Sequence, residues 1–371
     1  MHVLITVNKT WNILNYRREI VEAFIQDGHS VTVLVPCDEY VTKLERLGCK
    51  VVHLEMDVSG LSPYKDIKLI GKMKRIFLAE KPDLIFSYTI KNNIFGALAA
   101  HALDIPFIPN VTGLGTAFLS GGLLKFISEW LYGLSFRHLK TIFFQNEDDM
   151  SLFIKKKIVT IQQAKLLPGS GINLEHFSPV AYPRKDNAPI FLMIARLMRD
   201  KGVFEFIAAA RKIKADQPQV RFQLLGPVNV ANRAAISMET VKSWEDEGVI
   251  EYLGTSDDVR PHISAAHCVV LPSYREGAPR SLIEAAAMSR PLITTDVPGC
   301  RSVVDDKKTG YLCNVRDEDD LVRSIYDFLE LPIKSKAHMG RVGRVKMIEN
   351  FDQAFVVKAY QNALKSEFLN I

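Results

Sequence analysis

Ser273-Tyr274-Arg275-Glu276-Gly277-Ala278-Pro279-Arg280-Ser281-Leu282-Ile283-Glu284-Ala285 decides the reading of this chain. An apolar run, Cys268 to Leu271, leads into it as a buried strand, and Leu282 onward continues as a helix. Pro279 suits a first helical turn, where its missing N–H leaves nothing unpaired. Gly277 admits a ligand close to the backbone, and amides at a helix start form an anion site. Glu276 and Glu284 flank those amides with carboxylates that accept hydrogen bonds from hydroxyls. Strand, glycine turn and helix make one unit of an α/β fold, and the ligand that joins phosphates to sugar hydroxyls is a nucleotide sugar.

Working outward, apolar runs of strand length alternate with helical patterns through both halves. In the first half the strands are Val3–Val7, Val31–Val35, Val51–Leu54, Leu84–Ser87, Phe107–Val111, Ile142–Gln145 and Lys165–Leu167. Helical stretches between them include Asn12–Asp27, Lys65–Ala79 and Asn92–Leu103. The series restarts with Ile190–Ala195, Arg221–Leu225, Glu251–Leu253, Val269–Leu271, Leu292–Thr295 and Gly310–Leu312. Continuous Val/Ile/Leu strands between helices indicate parallel sheets covered on both faces. The expected domains are 1–178 and 187–351, divided at the polar, three-proline stretch from Ser178 to Pro189. Ligands of such sheets bind outside the carboxyl ends of the strands, so two facing sheets place the site in a central cleft.

The length of 371 residues suits two domains. A 47% hydrophobic and 24% charged composition is that of an ordinary globular protein. A net charge of +5 is compatible with anionic nucleotides and lipid surfaces, without the concentrated Lys/Arg and aromatic platforms of a nucleic-acid binder. Five scattered cysteines with no C-x-x-C read as reduced thiols, with Cys268 a core strand residue. No signal peptide and no transmembrane run is evident, so the expected location is cytoplasmic, peripheral on the inner face of the plasma membrane.

Glu-x7-Glu with Gly-x-Pro after its first glutamate resembles the signature of retaining glycosyltransferases of family 4, which have the GT-B fold. The match continues through Glu284-Ala285-Ala286-Ala287-Met288, Arg290-Pro291-Leu292-Ile293-Thr294-Thr295-Asp296 and Pro298-Gly299-Cys300. Upstream it takes in Ala195-Arg196-Leu197 and Asp200-Lys201-Gly202-Val203. The resemblance implies two doubly wound Rossmann-like domains, with a C-terminal helix, 352–371, crossing back onto the first. It implies that Glu284 holds the ribose hydroxyls, that Glu276 contacts the donor sugar, and that backbone near Ser256 contacts the base. A plain helix N-cap at Ser256 or Asp257 remains the alternative there.

Arg196 and Lys201 follow the first strand of the second domain, where they suit the diphosphate, Arg bidentately and Lys as a point charge. With Glu276 they form the expected catalytic set. Glu284, Gly277, Ala278, Pro279, Ser256, Gly113 and Gly115 form the expected donor-binding set. The two glutamates are not a glycosidase dyad: eight helical residues span about 12 Å, beyond the roughly 5–9.5 Å such dyads need. Thr112-Gly113-Leu114-Gly115 allows close approach to the donor, but Thr112 stands where many relatives of the resembled family carry histidine. A front-face route, in which the leaving phosphate takes the acceptor proton, needs no histidine. His101 reads as a core residue in an Ala-rich helix.

Lys9 and Asn12, with Thr112, are the acceptor-side candidates, although the first loop reads equally as a plain loop. It has no G-x-G-x-x-G, which argues against a dinucleotide enzyme. Leu123 to Arg137 is apolar with basic ends and an aromatic set, so it fits either a helix dipping into lipid headgroups or a core helix. Lys65, Lys68, Lys72, Lys74 and Arg75 form a second basic strip. Asp317-Glu318-Asp319 has a D-x-D look, yet acids there suit a helix start; no metal and no cofactor is expected.

The sequence therefore reads as a metal-independent, retaining transferase. It moves a sugar, an N-acetylhexosamine by resemblance to bacterial enzymes extending undecaprenyl-diphosphate glycans, from a UDP-sugar to a lipid-linked or surface-polysaccharide acceptor such as O-antigen or capsule. A non-hydrolysing UDP-sugar 2-epimerase and a non-catalytic sugar-nucleotide-binding protein are the rivals. No nucleic-acid partner is expected.

Overall fold

The computed structural model describes residues 1–57, 62–114, 122–183, 188–229 and 234–368. The chain forms two compact units, Met1–Gly171 with Gln353–Ile371, and Ile172–Asp352.

The first unit is built on strands β1 (His2–Thr6), β2 (Ser30–Val35), β3 (Lys50–His53), β4 (Leu84–Tyr88), β5 (Phe107–Val111), β6 (Ile142–Phe144) and β7 (Ala164–Leu166), in the order β3-β2-β1-β4-β5-β6-β7. Every pairing is parallel, with Val3 against both Val31 and Leu84. Alternate residues serve opposite faces. Val3, Ile5, Phe86 and Tyr88 join one core with Phe24 of helix Arg18–Gln26. Leu4 and Ile85 join the other with Met73 and Phe77 of helix Pro63–Glu80. Burial on both faces is why these strands read as unbroken apolar runs.

The stretch read as one helix from Asn12 to Asp27 is two helices, Thr10–Tyr16 and Arg18–Gln26. Arg17 leaves helical geometry between them, at φ −142° and ψ 9°, and is buried with its guanidinium 3.9 Å from the Tyr88 ring centroid. The side chain's seat on that aromatic overrides the helical periodicity. His101 is likewise no core residue: it ends helix Ile90–His101, is exposed, and stacks on His138 at 4.3 Å.

The second unit holds β8 (Ile190–Ile194), β9 (Arg221–Leu225), β10 (Glu251–Tyr252), β11 (Cys268–Leu271), β12 (Leu292–Thr295) and β13 (Gly310–Cys313), in the order β10-β9-β8-β11-β12-β13, again all parallel. In both sheets the strand order reverses beside the first strand, between β1 and β4 and between β8 and β11. These are the topological switch points at which open α/β sheets take ligands.

The chain leaves the first unit at Gly171, ahead of the prolines that mark a linker in the sequence. Ser178–Pro183 lies within the second unit, tied down by Arg290. Its guanidinium donates to the carbonyls of Val180 at 3.2 Å and Ala181 at 2.8 Å. Tyr182 adds a bond from its hydroxyl to the His267 carbonyl at 3.1 Å. Prolines here shape a segment held by carbonyl acceptors, and carbonyls are the one backbone group proline keeps.

Candidate active site

At the carboxyl edge of the second sheet, the loops after β8 and β11 are locked together. Lys201 closes a short 3-10 turn, Arg199–Lys201, and Gly202 follows in the left-handed region at φ 76°. A Cβ on Gly202 would lie 2.0 Å from the Pro272 carbonyl oxygen, so only glycine lets the two loops approach this closely. The Asp200 carbonyl accepts from the Tyr274 amide at 2.9 Å and from the Ser273 hydroxyl at 3.1 Å. Lys201 Nζ then lies 2.6 Å from Glu276 Oε1, both side chains only 15% and 13% exposed. Two residues 75 positions apart in sequence thereby share one point of the sheet edge.

The segment after β11 is held from its other side by β12. Thr294 donates to the Leu271 carbonyl at 2.6 Å, and Thr295 donates to the Ser273 carbonyl. The Glu276 amide donates to the Pro298 carbonyl at 3.2 Å. Gly299 sits beneath, at φ 82°; a Cβ there would lie 2.5 Å from the Glu276 carbonyl oxygen and 2.7 Å from that of Gly277. Tyr274 donates to Glu205 at 2.7 Å beneath the Arg316 guanidinium, and its phenol is pushed up to about 12, chiefly by burial.

Helix Arg280–Ala287 begins one residue later than the sequence suggests: Pro279 is the residue before its first turn, and its carbonyl accepts from Leu282 and Ile283. Only the amides ahead of Leu282 have no acceptor within the helix. Gly277 and Pro279 are buried, and Ala278 is half-buried between them. Glu284 projects one turn in, paired to Arg280 at 2.8 Å. Burial pushes its carboxyl above the usual range, Arg280 offsets this in part, and Asp258 adds to it. Asp258, in the loop after β10, thus lies close enough to Glu284 for the two like charges to be felt.

Ser256 in this loop is no helix cap. Helix Arg260–Ala265 starts after Val259 without a side-chain cap. Instead the Ser256 hydroxyl accepts from the Asp258 amide at 3.1 Å and donates to the Asp258 carbonyl at 2.7 Å, while Asp258 accepts from the Arg260 amide at 3.0 Å. The exposed Ser256 loop is thereby fixed two residues ahead of the helix.

Arg196 follows β8 as expected and is exposed, with no ion pair among the described residues. The second unit therefore brings Arg196, Lys201, Glu276–Pro279, Glu284 and Ser256 to one edge of its sheet. The Asp317 cluster is used elsewhere: Asp317 caps helix Glu318–Glu330 by accepting from the Asp320 amide, and Glu318 and Asp319 both pair with Lys212.

In the first unit, Lys9 is exposed just before helix Thr10–Tyr16, and Asn12 donates to Asn8 at 2.8 Å. Thr112 and Gly113 follow β5, with Gly113 at φ 136°; Gly115 lies outside the described residues. Sequence reasoning missed two features of this edge. Arg17 is one, its buried guanidinium donating to the Asn12 carbonyl at 3.2 Å. Thr89 is the other. It sits at the end of β4 with φ 72° and ψ 150°, a backbone region essentially reserved for glycine. Thr89 donates to Asn92 at 2.9 Å, and Asn92 donates to Thr6 at 2.7 Å, bridging the switch point. Nothing in a Tyr-Thr-Ile-Lys sequence signals such a backbone. Arg280 was also missed, although its place four residues before Glu284 is a visible ion-pair spacing.

Two doubly wound parallel sheets of seven and six strands define the GT-B architecture. Among solved structures, the chain matches sucrose-phosphate synthase from Thermosynechococcus elongatus with a TM-score of 0.80 at 19% identity over 100% of both chains. Anabaena Alr3699/HepE in complex with UDP and glucose matches with a TM-score of 0.76 at 17% identity, over 99% of this chain and 100% of that one. Residues 175–346 match the model of glycosyl transferases group 1, and residues 13–168 match a glycosyl transferase 4-like domain. The N,N'-diacetylbacillosaminyl-diphospho-undecaprenol alpha-1,3-N-acetylgalactosaminyltransferase of Campylobacter jejuni is 31% identical over 86% of this chain and 87% of its own. The UDP-Gal:alpha-D-GlcNAc-diphosphoundecaprenol alpha-1,3-galactosyltransferase of Escherichia coli is 24% identical over 72% and 71%. The chain belongs to the group 1, family 4-like glycosyltransferases.

Proposed function

We propose that this glycosyltransferase moves an N-acetylhexosamine from a UDP-sugar to an undecaprenyl-diphosphate-linked glycan at a membrane face, with retention and without a metal. The observation that carries the reading is the Lys201–Glu276 contact at the second sheet's switch point, flanked by Arg196 and the start of helix Arg280–Ala287. Arg196 and Lys201 neutralise the diphosphate as it departs, and the helix-start amides hold its oxygens. Glu276 contacts the donor sugar, where positive charge develops, and Glu284 accepts from the ribose hydroxyls. Gly277, Ala278 and Pro279 let the ligand lie against the backbone, and the Ser256 loop meets the base. Lys9, Asn12 and Thr112 line the acceptor side of the first unit, and Gly113 admits the donor close to the backbone.

Retention is supported by the alpha-1,3 linkage in both relatives' names, since an α-linked donor then keeps its configuration. The lipid-diphosphate acceptor and the N-acetylhexosamine also rest on those relatives. No helix among the described residues is long and apolar enough to cross a membrane; the attachment proposed is peripheral.

The test is incubation with a panel of UDP-sugars, with and without a prenyl-diphosphate glycan, in EDTA, followed by NMR of the product anomer. An α-linked product formed only with acceptor present is expected. Interconversion of free UDP-sugars would instead reveal an epimerase, binding without turnover a non-catalytic protein, and a β-linked product an inverting mechanism. Loss of transfer in EDTA, restored by Mg2+, would return attention to metal.

A further inference from the structure

Helix Gly122–Phe136 carries large apolar residues on its outer side as well as on the side that meets the core. Ser128, Tyr132, Ser135 and Phe136 are buried, whereas Leu123, Phe126 and Trp130 are 74%, 66% and 60% exposed, with Ile127 and Leu134 exposed beside them. The exposed set recurs at intervals of three and four, so it forms one stripe along the helix. A stripe from Leu123 to Leu134 runs for about 16 Å. Large apolar side chains gathered in one patch mark a contact surface.

The stripe borders an open groove of about 590 Å3 whose wall is the turn after helix Glu147–Lys155. Phe126, Trp130 and Leu134 make its apolar side, and Arg137, Lys156 and Lys157 make its cationic side. The acid of the groove, Glu129, is already paired with Lys156 at 2.9 Å. Arg137 and Lys157 are exposed and have no ion pair among the described residues. Lys155, exposed at the end of helix Glu147–Lys155, extends the positive rim.

Two occupants suit an apolar stripe, a second copy of the chain and a bilayer. A second copy would bring these cations against their own kind. An anionic bilayer complements them, because aromatic rings settle at the headgroup level and lysines and arginines engage anionic lipids. We infer that this helix and groove dock the enzyme on an anionic phospholipid surface, with Phe126 and Trp130 entering the headgroup layer and Arg137 and Lys157 on lipid phosphates. This surface rests on the membrane-face reading above and names the contact that makes it.

The experiment uses the full chain and co-sedimentation with phosphatidylcholine vesicles, either alone or with roughly one third phosphatidylglycerol. Wild type is expected to sediment with the anionic vesicles and to be released by high salt. Phe126→Ser with Trp130→Ser should lower that binding at least about 10-fold. Arg137→Gln with Lys157→Gln, a pair that leaves the apolar stripe intact, should lower it roughly 10-fold and remove most of its salt dependence. Transfer to a detergent-dispersed short-chain diphosphate acceptor should stay at the wild-type rate in both variants. Equal vesicle binding by wild type and both variants would overturn the inference. So would a wild-type dimer, seen by light scattering, that the serine variant dissociates without any vesicle binding. Vesicle binding that follows the variants in a protein that transfers no sugar to a lipid diphosphate would leave the surface standing and overturn the acceptor reading alone.

Discussion

Gly299→Ala tests whether the Glu276 segment is held where the chemistry needs it. Gly299 has φ 82° and ψ −46°, a combination that costs a residue with a side chain about 1–3 kcal/mol. The added Cβ would also begin 2.5 Å from the Glu276 carbonyl oxygen, and reaching the 3.4 Å of ordinary contact takes about 0.9 Å of backbone movement. That backbone cannot yield cheaply, since Thr294 and Thr295 fix the same segment five and three residues upstream of Glu276. A displacement of about 1 Å at a reacting group costs on the order of 100-fold in rate. Strain and overlap together should cost about 2–4 kcal/mol, a fall in melting temperature of roughly 5–15 °C for a domain of this size. Gly248→Ala supplies the control, because Gly248 has φ 75° with nothing within 4 Å of its would-be Cβ. It carries the cost of a positive φ without the collision and should keep wild-type turnover. Thermal melts and steady-state transfer kinetics on both variants decide the matter. If Gly299→Ala melts with Gly248→Ala and turns over like wild type, the close approach does not position Glu276.

Arg196→Ala should lower turnover by about 100-fold, the scale of losing one charge-stabilising group. Its melting temperature should stay at the wild-type value because the side chain is exposed and unpaired among the described residues; normal transfer by this variant would remove Arg196 from the mechanism. Glu284→Gln should raise the donor KM with modest change in kcat, whereas Glu276→Gln should lower kcat, and equal effects on both constants in the two variants would contradict the separate roles. Asp258, held down to about 2 by Arg260, should titrate there by NMR and move toward the usual carboxylate range in Arg260→Gln. A depressed carboxylate stabilises the fold above its unfolded value of 3.8 and loses that contribution as pH falls through about 2, so a titration unmoved by Arg260→Gln would refute the pairing. Of the five cysteines only Cys37 is exposed, and burial pushes Cys49 up to about 11 and Cys300 and Cys313 up to about 12. A chromogenic disulfide should therefore titrate one thiol in the native protein and five after denaturation, and two or more fast native thiols would contradict the packing.

What was legible in the sequence was what repeats with a fixed period or arises from neighbours in the chain. Unbroken runs such as Val31–Val35 and Ile190–Ile194 could only be strands buried on both faces, and the glycine and proline of 277–279 announced the turn between β11 and the helix after it. What was hidden depends on residues far apart in sequence. The break at Arg17 follows from a ring on β4, and the strained Thr89 from bonds to Asn92 and thence Thr6. Ser178–Pro189 looked like a boundary because prolines usually mark one, yet a buried Arg290 over 100 residues away holds the carbonyls of Val180 and Ala181. Helix Gly122–Phe136 was ambiguous for a different reason: periodicity identifies an apolar face without saying which side of the helix meets water.

The return of helix Gln353–Phe368 to the first unit has a consequence for how the protein is made. Val356, Tyr360 and Leu364 complete the core that covers Phe86 and Phe143, and Tyr360 accepts from Asn110 of β5 at 2.8 Å. A ribosome finishes the whole second unit before it supplies these residues. The nascent first unit therefore waits through that interval with the part of this face around Phe86 and Phe143 uncovered, aromatic and exposed to other chains. The unit synthesised first is the last to close, and a polypeptide that stops anywhere before Gln353 carries that uncovered patch permanently.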